Sequence, residues 1–101
     1  MSEDDKYNGL ELIEQECKGH YVFKNIDVSC RQGFALLFGD SDKIVRKCMD
    51  MINERYPEPD YFQVFRYNGI IFYAISPCEE DKLEELPEEK RRVQFLLASE
   101  Y

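Results

Sequence analysis

The spacing of apolar residues changes period several times along this chain, and each change marks an expected element. Leu10, Ile13 and Cys17 share one face of a short amphipathic helix that opens at Asn8 or Gly9 and stops at Gly19. Residues 20–28 are β-branched and aromatic, residues 29–33 carry turn chemistry, and residues 34–38 form a compact apolar run, so the region reads as a hairpin. Gly39, Asp40 and Ser41 then break the strand and cap a second helix. Its apolar stripe is Ile44, Cys48, Met51 and Ile52 with Val45 alongside, and it ends before Pro57 and Pro59.

Residues 61–67 and 70–76 flank Asn68-Gly69, the pair that best tolerates the two positive φ angles of a type I′ turn. A second hairpin follows from that pair. Beyond it, Ser76 as cap, Pro77 at the first helical position and Glu79 closing a capping box predict a third helix. Leu86-Pro87 divides this helix, and its longer part, residues 88–99, turns Val93, Leu96 and Leu97 inward. The expected fold is therefore α+β in the order α-β-β-α-β-β-α, with two antiparallel hairpins making a four-stranded sheet and helix two packed on one face.

The Asn68-Gly69 turn also sets a register. Tyr67 lies opposite Ile70, Phe65 opposite Phe72 and Gln63 opposite Ala74 on one face; Phe62, Val64, Ile71, Tyr73 and Ile75 share the other. Both faces are apolar. The aliphatic one is the expected seat of helix two, which leaves the face with Tyr61, Phe65, Tyr67 and Phe72 to a terminal helix, a second copy or a partner.

Length and composition change this picture little. At 101 residues with 44% hydrophobic residues and fourteen Phe plus Tyr, the chain has material for one core, and it has no apolar run long enough to span a bilayer. We expect residues 1–7 to be a disordered acidic N-terminus and residues 8–101 a single α+β domain. The opening residues 1–5 carry acids and no apolar stretch, unlike a secretory signal, so the expected location is cytoplasmic.

Charge is more telling. Residues 1–18 hold six acids and two bases, residues 77–101 eight acids and four bases, and residues 19–76 seven of each, so the net charge of −8 comes from the two ends. That layout opposes direct nucleic-acid binding on an aromatic sheet, because such binding draws its affinity from basic groups that displace counterions, and Arg66 is the one base on the second hairpin.

Candidate chemistry is sparse. Cys17, Cys30, Cys48 and Cys78 form no C-x-x-C pair and read as reduced thiols. Cys17 and His20, three residues apart, are the nearest approach to a nucleophile pair or a metal half-site, and Cys30 beside Arg31 is the nearest to an activated thiol. Neither brings a base, an oxyanion site or further ligands with it. No glycine-rich phosphate loop is present, and paired carboxylates such as Glu84-Glu85 lie in a helical pattern without an apolar pocket. The expectation is no enzyme activity, no cofactor and no metal.

Acids spaced along a helix can instead imitate a phosphate backbone and approach a basic groove by long-range attraction. In size and charge the chain resembles the small acidic inhibitors that phages and other mobile elements direct at nucleic-acid-targeting defence enzymes, anti-CRISPR proteins among them. That resemblance rests on length and charge and covers no particular residue. It implies a basic protein partner, one that processes nucleic acid, with no direct nucleic-acid or membrane contact. Glu79, Glu80, Asp81, Glu84, Glu85, Glu88 and Glu89 would supply attraction, and Tyr61, Phe65, Tyr67 and Phe72 apolar anchors. Glu84 or Glu88 paired with Arg91 or Arg92 would reduce the same acids to solubilising charge. The alternative function is a homo-oligomeric, homodimeric or small-ligand-binding domain that uses the aromatic sheet face.

Overall fold

A computed structural model describes residues 7–101. The expected disordered stretch lies outside the described residues except for Tyr7, which is buried with its ring 5.4 Å from that of Tyr67. The chain runs β1 (Glu11–Leu12), β2 (Asp27–Cys30), α1 (Gln32–Phe38), α2 (Ser41–Asn53), β3 (Phe62–Tyr67), β4 (Ile70–Ile75) and β5 (Arg92–Leu97), with 3-10 turns at Glu80–Glu85, Glu88–Lys90 and Ala98–Glu100. Five strands form one sheet in the order β1-β3-β4-β5-β2, antiparallel except for the parallel pair β5 and β2.

The α+β class and the central pieces match the sequence reading. Helix α2 buries Ile44, Cys48 and Ile52 along its expected stripe. The β3-β4 hairpin has the register derived from its turn, with Phe65 opposite Phe72 and Tyr67 opposite Ile70, and Asn68 and Gly69 both take positive φ.

The four-stranded sheet and the α-β-β-α-β-β-α order are corrected. No helix forms around Leu10 and Ile13: Leu10 and Leu12 instead point inward alternately from β1 and its approach, and Cys17 is exposed. A helix that short has too few turns to repay nucleation without a wide apolar face. The first hairpin is also absent, because residues 34–38 belong to α1. Phe34 and Phe38, one helical turn apart, come within 4.8 Å and turn toward the core, while Leu36 is 75% exposed. A five-residue apolar run fits either period, and here tertiary packing selects the helical one.

The third correction is the C-terminal helix, whose residues 92–97 form strand β5. Val93, Phe95 and Leu97 alternate with Arg92 and Gln94, a period of two that places Val93 and Phe95 at zero exposure. A helical grouping of Val93, Leu96 and Leu97 gives Phe95 no inward position, whereas the strand buries it fully.

The two faces of the sheet exchange their expected roles. Helices α1 and α2 cover the face carrying Phe65, Phe72, Ala74, Val93 and Phe95, all fully buried, with Phe65 and Phe72 stacked 5.3 Å apart. Burying one Phe contributes about 1.5–3 kcal/mol, and β5 adds Phe95 to Phe65 and Phe72 on this side. The opposite face is interrupted by Arg66, Arg92, Gln94 and Asp27, which a dry helix interface would leave without water.

Among the described residues two polar ones are buried, Gln63 and Ser76, and Gln63 anchors a network. Gln63 is fully buried, and its Oε1 accepts from Arg55 Nη1 at 2.6 Å while its Nε2 donates to Gln15 Oε1 at 3.0 Å and to the Asp60 carbonyl at 2.8 Å. Arg55 Nη2 continues to the Ile13 carbonyl at 2.7 Å. This network fastens the strand-like segment after β1 to β3 and to the end of α2, satisfying groups that would otherwise be stranded away from solvent.

Candidate protein-binding face

The helix-free face of the sheet is built from the outward positions of β3, β4 and β5. Phe62 lies opposite Ile75, and Val64 opposite Tyr73, which is in turn opposite Leu96. Strand alternation puts these side chains together, and all but Leu96 remain partly open to water. The Phe62 and Tyr73 rings are 4.6 Å apart. Tyr101 lies across both, at 5.5 and 5.6 Å, yet is 76% exposed. At the corner, Tyr61 meets Tyr21 at 5.4 Å and Phe62 at 6.0 Å.

Acidic segments border this face on two sides. A cleft of about 370 Å³ separates the sheet from the 3-10 turns and is lined by Ile75, Leu86, Glu89, Lys90 and Arg92 among others, so its own walls carry both signs and the other acids of this border stand outside it. A second, of about 450 Å³, lies beside β3 between Phe62 and Val64 on one wall and Glu14 and Glu16 on the other. Arg91 shapes the first border: its Nε donates to the Leu86 carbonyl at 2.8 Å and its Nη2 to the Glu84 carbonyl at 3.1 Å. These bonds close the loop and direct the guanidinium to backbone carbonyls, so among the described residues it makes no direct ion pair with the neighbouring carboxylates.

Of the seven acids singled out from the sequence, Glu80, Asp81, Glu84, Glu85, Glu88 and Glu89 are exposed, and Glu79 is half-buried where it bridges to Tyr21. The expected pairs of Glu84 or Glu88 with Arg91 or Arg92 do not form. Among the described residues the ion pairs are Lys18–Glu58, Lys43–Asp40 and Arg66–Glu11, and none includes any of the seven. The anchors divide. Tyr61 is 46% exposed on the open side, whereas Phe65 and Phe72 are sealed in the core and Tyr67 is half-buried against Tyr7 and Phe38. Phe65 and Phe72 therefore cannot be contact residues. The rings that stand together on the open face are Phe62, Tyr73 and Tyr101. The hairpin register had already put the first two on one face; what it lacked was β5, which decides which face the helices cover.

The candidate nucleophiles are separate. His20 Nδ1 lies 3.1 Å from the Pro57 carbonyl, which can only accept, so that nitrogen carries the proton and bonds to backbone. Cys30 is half-buried, and burial pushes its thiol up despite a hydrogen bond with Ser41, the reverse of activation by Arg31. Burial raises the Cys48 thiol further. All four cysteines are free, and among the described residues no group of three or more His, Cys, Asp or Glu side chains is gathered for a metal ion. Nor is any helix there long and apolar enough to cross a membrane. No protein-family model, no curated protein and no solved structure matches this chain.

Proposed function

We propose that this protein is a non-catalytic protein-binding module whose open sheet face docks a basic partner, and in its most specific form a small acidic inhibitor of a nucleic-acid-handling protein. The observation that carries the reading is the pairing of an uncovered aromatic cluster, Phe62, Tyr73 and Tyr101, with acidic borders that form no ion pairs among the described residues. Aromatic rings on a rigid sheet are effective contact anchors, losing little rotamer freedom on binding. Acids around them raise the encounter rate with a positive surface and select against negative ones. Arg66 on the same face pairs with Glu11 at 2.8 Å, so these two charges offset each other and the attraction falls to the acids of the borders.

The test is affinity capture from nuclease-treated lysate across a salt series, repeated with two variants. One variant carries Glu84→Lys, Glu85→Lys, Glu88→Lys and Glu89→Lys; the other carries Tyr101→Ser. Support requires a basic nucleic-acid-handling protein whose capture is salt-labile and drops at least about ten-fold with each variant. A complex indifferent to both variants rejects the docking face. One sensitive to Tyr101→Ser alone rejects the electrostatic part.

A further inference from the structure

The outer edge of β2 is a row of backbone groups with no strand beside it. β2 pairs with β5 alone, in parallel, and the Arg31 N–H donates to the Phe95 carbonyl at 2.9 Å. Alternation along the strand then turns the N–H and C=O of Ser29 inward as well, and those of Val28 and Cys30 outward. Among the described residues nothing bonds to these outward groups. The backbone stays extended through Arg31, with φ −66° and ψ 154°. An exposed edge of this kind is a template for another strand.

The order of side chains on this edge, Asp27-Val28-Ser29-Cys30-Arg31, has a symmetry of its own. If a second copy approaches antiparallel with the two-fold axis at Ser29, Val28 faces the partner's Cys30 as a hydrogen-bonded pair, so the four outward N–H groups all find carbonyls. Ser29 then faces its own counterpart as a non-hydrogen-bonded pair. Asp27 falls opposite the partner's Arg31, twice, once on each side of the axis. Both residues are exposed, and neither is in an ion pair among the described residues. Any other centre on the strand loses that charge match, and a parallel approach would set like against like.

Beneath this edge a groove of about 440 Å³ runs between β2 and α2, with Ile26, Val28, Val45 and Met49 on its walls. In the Ser29-centred register the partner's Val28 and Cys30 side chains lie on the groove side of the joined sheet, toward a lining that mixes these apolar residues with Asp42 and Arg46. We infer that the chain self-associates through the β2 edge, two copies pairing antiparallel about Ser29 into a ten-stranded sheet held by reciprocal Asp27–Arg31 ion pairs. The open aromatic faces of both copies would then form one continuous surface. The inference does not depend on the docking of a basic partner there.

Sedimentation equilibrium of the full chain is expected to show concentration-dependent association to twice 12.1 kDa. Asp27→Lys and Arg31→Glu, each alone, set like charges opposite one another and are expected to weaken the dimer about ten-fold or more. Mixing the two variants restores both ion pairs, so a heterodimer forms where neither variant pairs with itself. Urea midpoints of the separate variants check that each is folded. Ser29→Cys, made in a chain whose exposed Cys17 is replaced by Ser, brings two introduced thiols face to face at a non-hydrogen-bonded position and is expected to give a dimer cross-linked through position 29 with mild oxidant, where Cys17→Ser alone gives none. A monomeric mass at every concentration overturns the proposal. So does a dimer indifferent to the charge changes, which would point to the aromatic face instead, and so does a charge-sensitive dimer that Ser29→Cys fails to cross-link.

Discussion

The Glu100 carboxylate accepts the Gly33 N–H at 2.8 Å, tying the turn after β5 to the first turn of α1. The same group takes the Phe34 N–H at 3.0 Å and the Leu97 N–H at 3.0 Å. Three donors converging on one carboxylate favour its charged form: the Leu97 N–H is the largest cause holding the Glu100 carboxyl below its ordinary value, with Gly33, Phe34 and the positive charge of Arg31 adding to it against partial burial. A carboxyl lowered in the folded state contributes stability that is fully present above the unfolded value, near 4.5, and is lost as pH falls through the folded value. Glu100→Gln is therefore expected to lower the urea midpoint at neutral pH, with the gap to the unaltered chain closing in acid. A gap independent of pH would show that the charge has no part in the clasp.

Gly33 is the position where this clasp leaves no room for a side chain. A Cβ there would sit 2.7 Å from Glu100 Cδ and 2.8 Å from its Oε2. Gly33→Ala must push the carboxylate off its donors, so its effect and that of Glu100→Ala should overlap. The double variant is expected to be hardly less stable than the worse single one, measured by urea unfolding. Additive losses would mean that the methyl group displaces something else.

The helical reading of residues 32–38 separates two neighbouring apolar residues. Phe34 touches the rings of Phe38, Phe72 and Phe95 at 4.8, 5.1 and 5.6 Å and has no exposure. Phe34→Ala should cost about 3–5 kcal/mol. Leu36, 75% exposed, should change stability by no more than about 0.5 kcal/mol as Leu36→Ser. Comparable losses at the two positions, read by denaturant unfolding, would contradict α1.

Gln63→Leu removes both acceptor and donor from the buried network and leaves Arg55 Nη1 and Gln15 Oε1 without that partner. Stranding such groups costs about 1–3 kcal/mol. Burial already pulls the Arg55 guanidinium down, with the Glu14 charge opposing, so its partners matter more than those of a solvated arginine. Adding Arg55→Met to Gln63→Leu should recover part of the loss, because an apolar pair strands less than a broken polar one.

Thiol labelling orders the cysteines. Cys17 is exposed, Cys30 is raised chiefly by burial, and Cys48 is fully buried and raised most. Iodoacetamide at neutral pH, followed by peptide mapping, should modify Cys17 first and spare Cys48 until the chain unfolds. Fast modification of Cys30 would reopen an activated thiol there.

Helix α2 and the β3-β4 hairpin were legible because each carries its cause locally. Ile44, Cys48 and Ile52 repeat at the helical period over three turns, and Asn68-Gly69 specifies a turn that in turn fixes which residues oppose one another. The acids at both ends were legible as exposed charge for a similar reason: so many carboxylates cannot be buried. The errors lie where local signals are short or shared between two periods. Residues 34–38 become helix because Phe34 and Phe38 fill the space over Phe72 and Phe95 and because Glu100, distant in sequence, accepts the Gly33 and Phe34 N–H groups at the helix start. Residues 92–97 become strand because β4 and β2 offer backbone partners on both sides. The candidate face followed the same division. Sequence periodicity alone determined that Phe62 and Tyr73 stand on one side of the hairpin and Phe65 and Phe72 on the other. Only tertiary structure decided which side water would reach, since the choice depends on where β5 sets Phe95 and Val93, and a hairpin with two apolar faces carries no information about a strand still to be added.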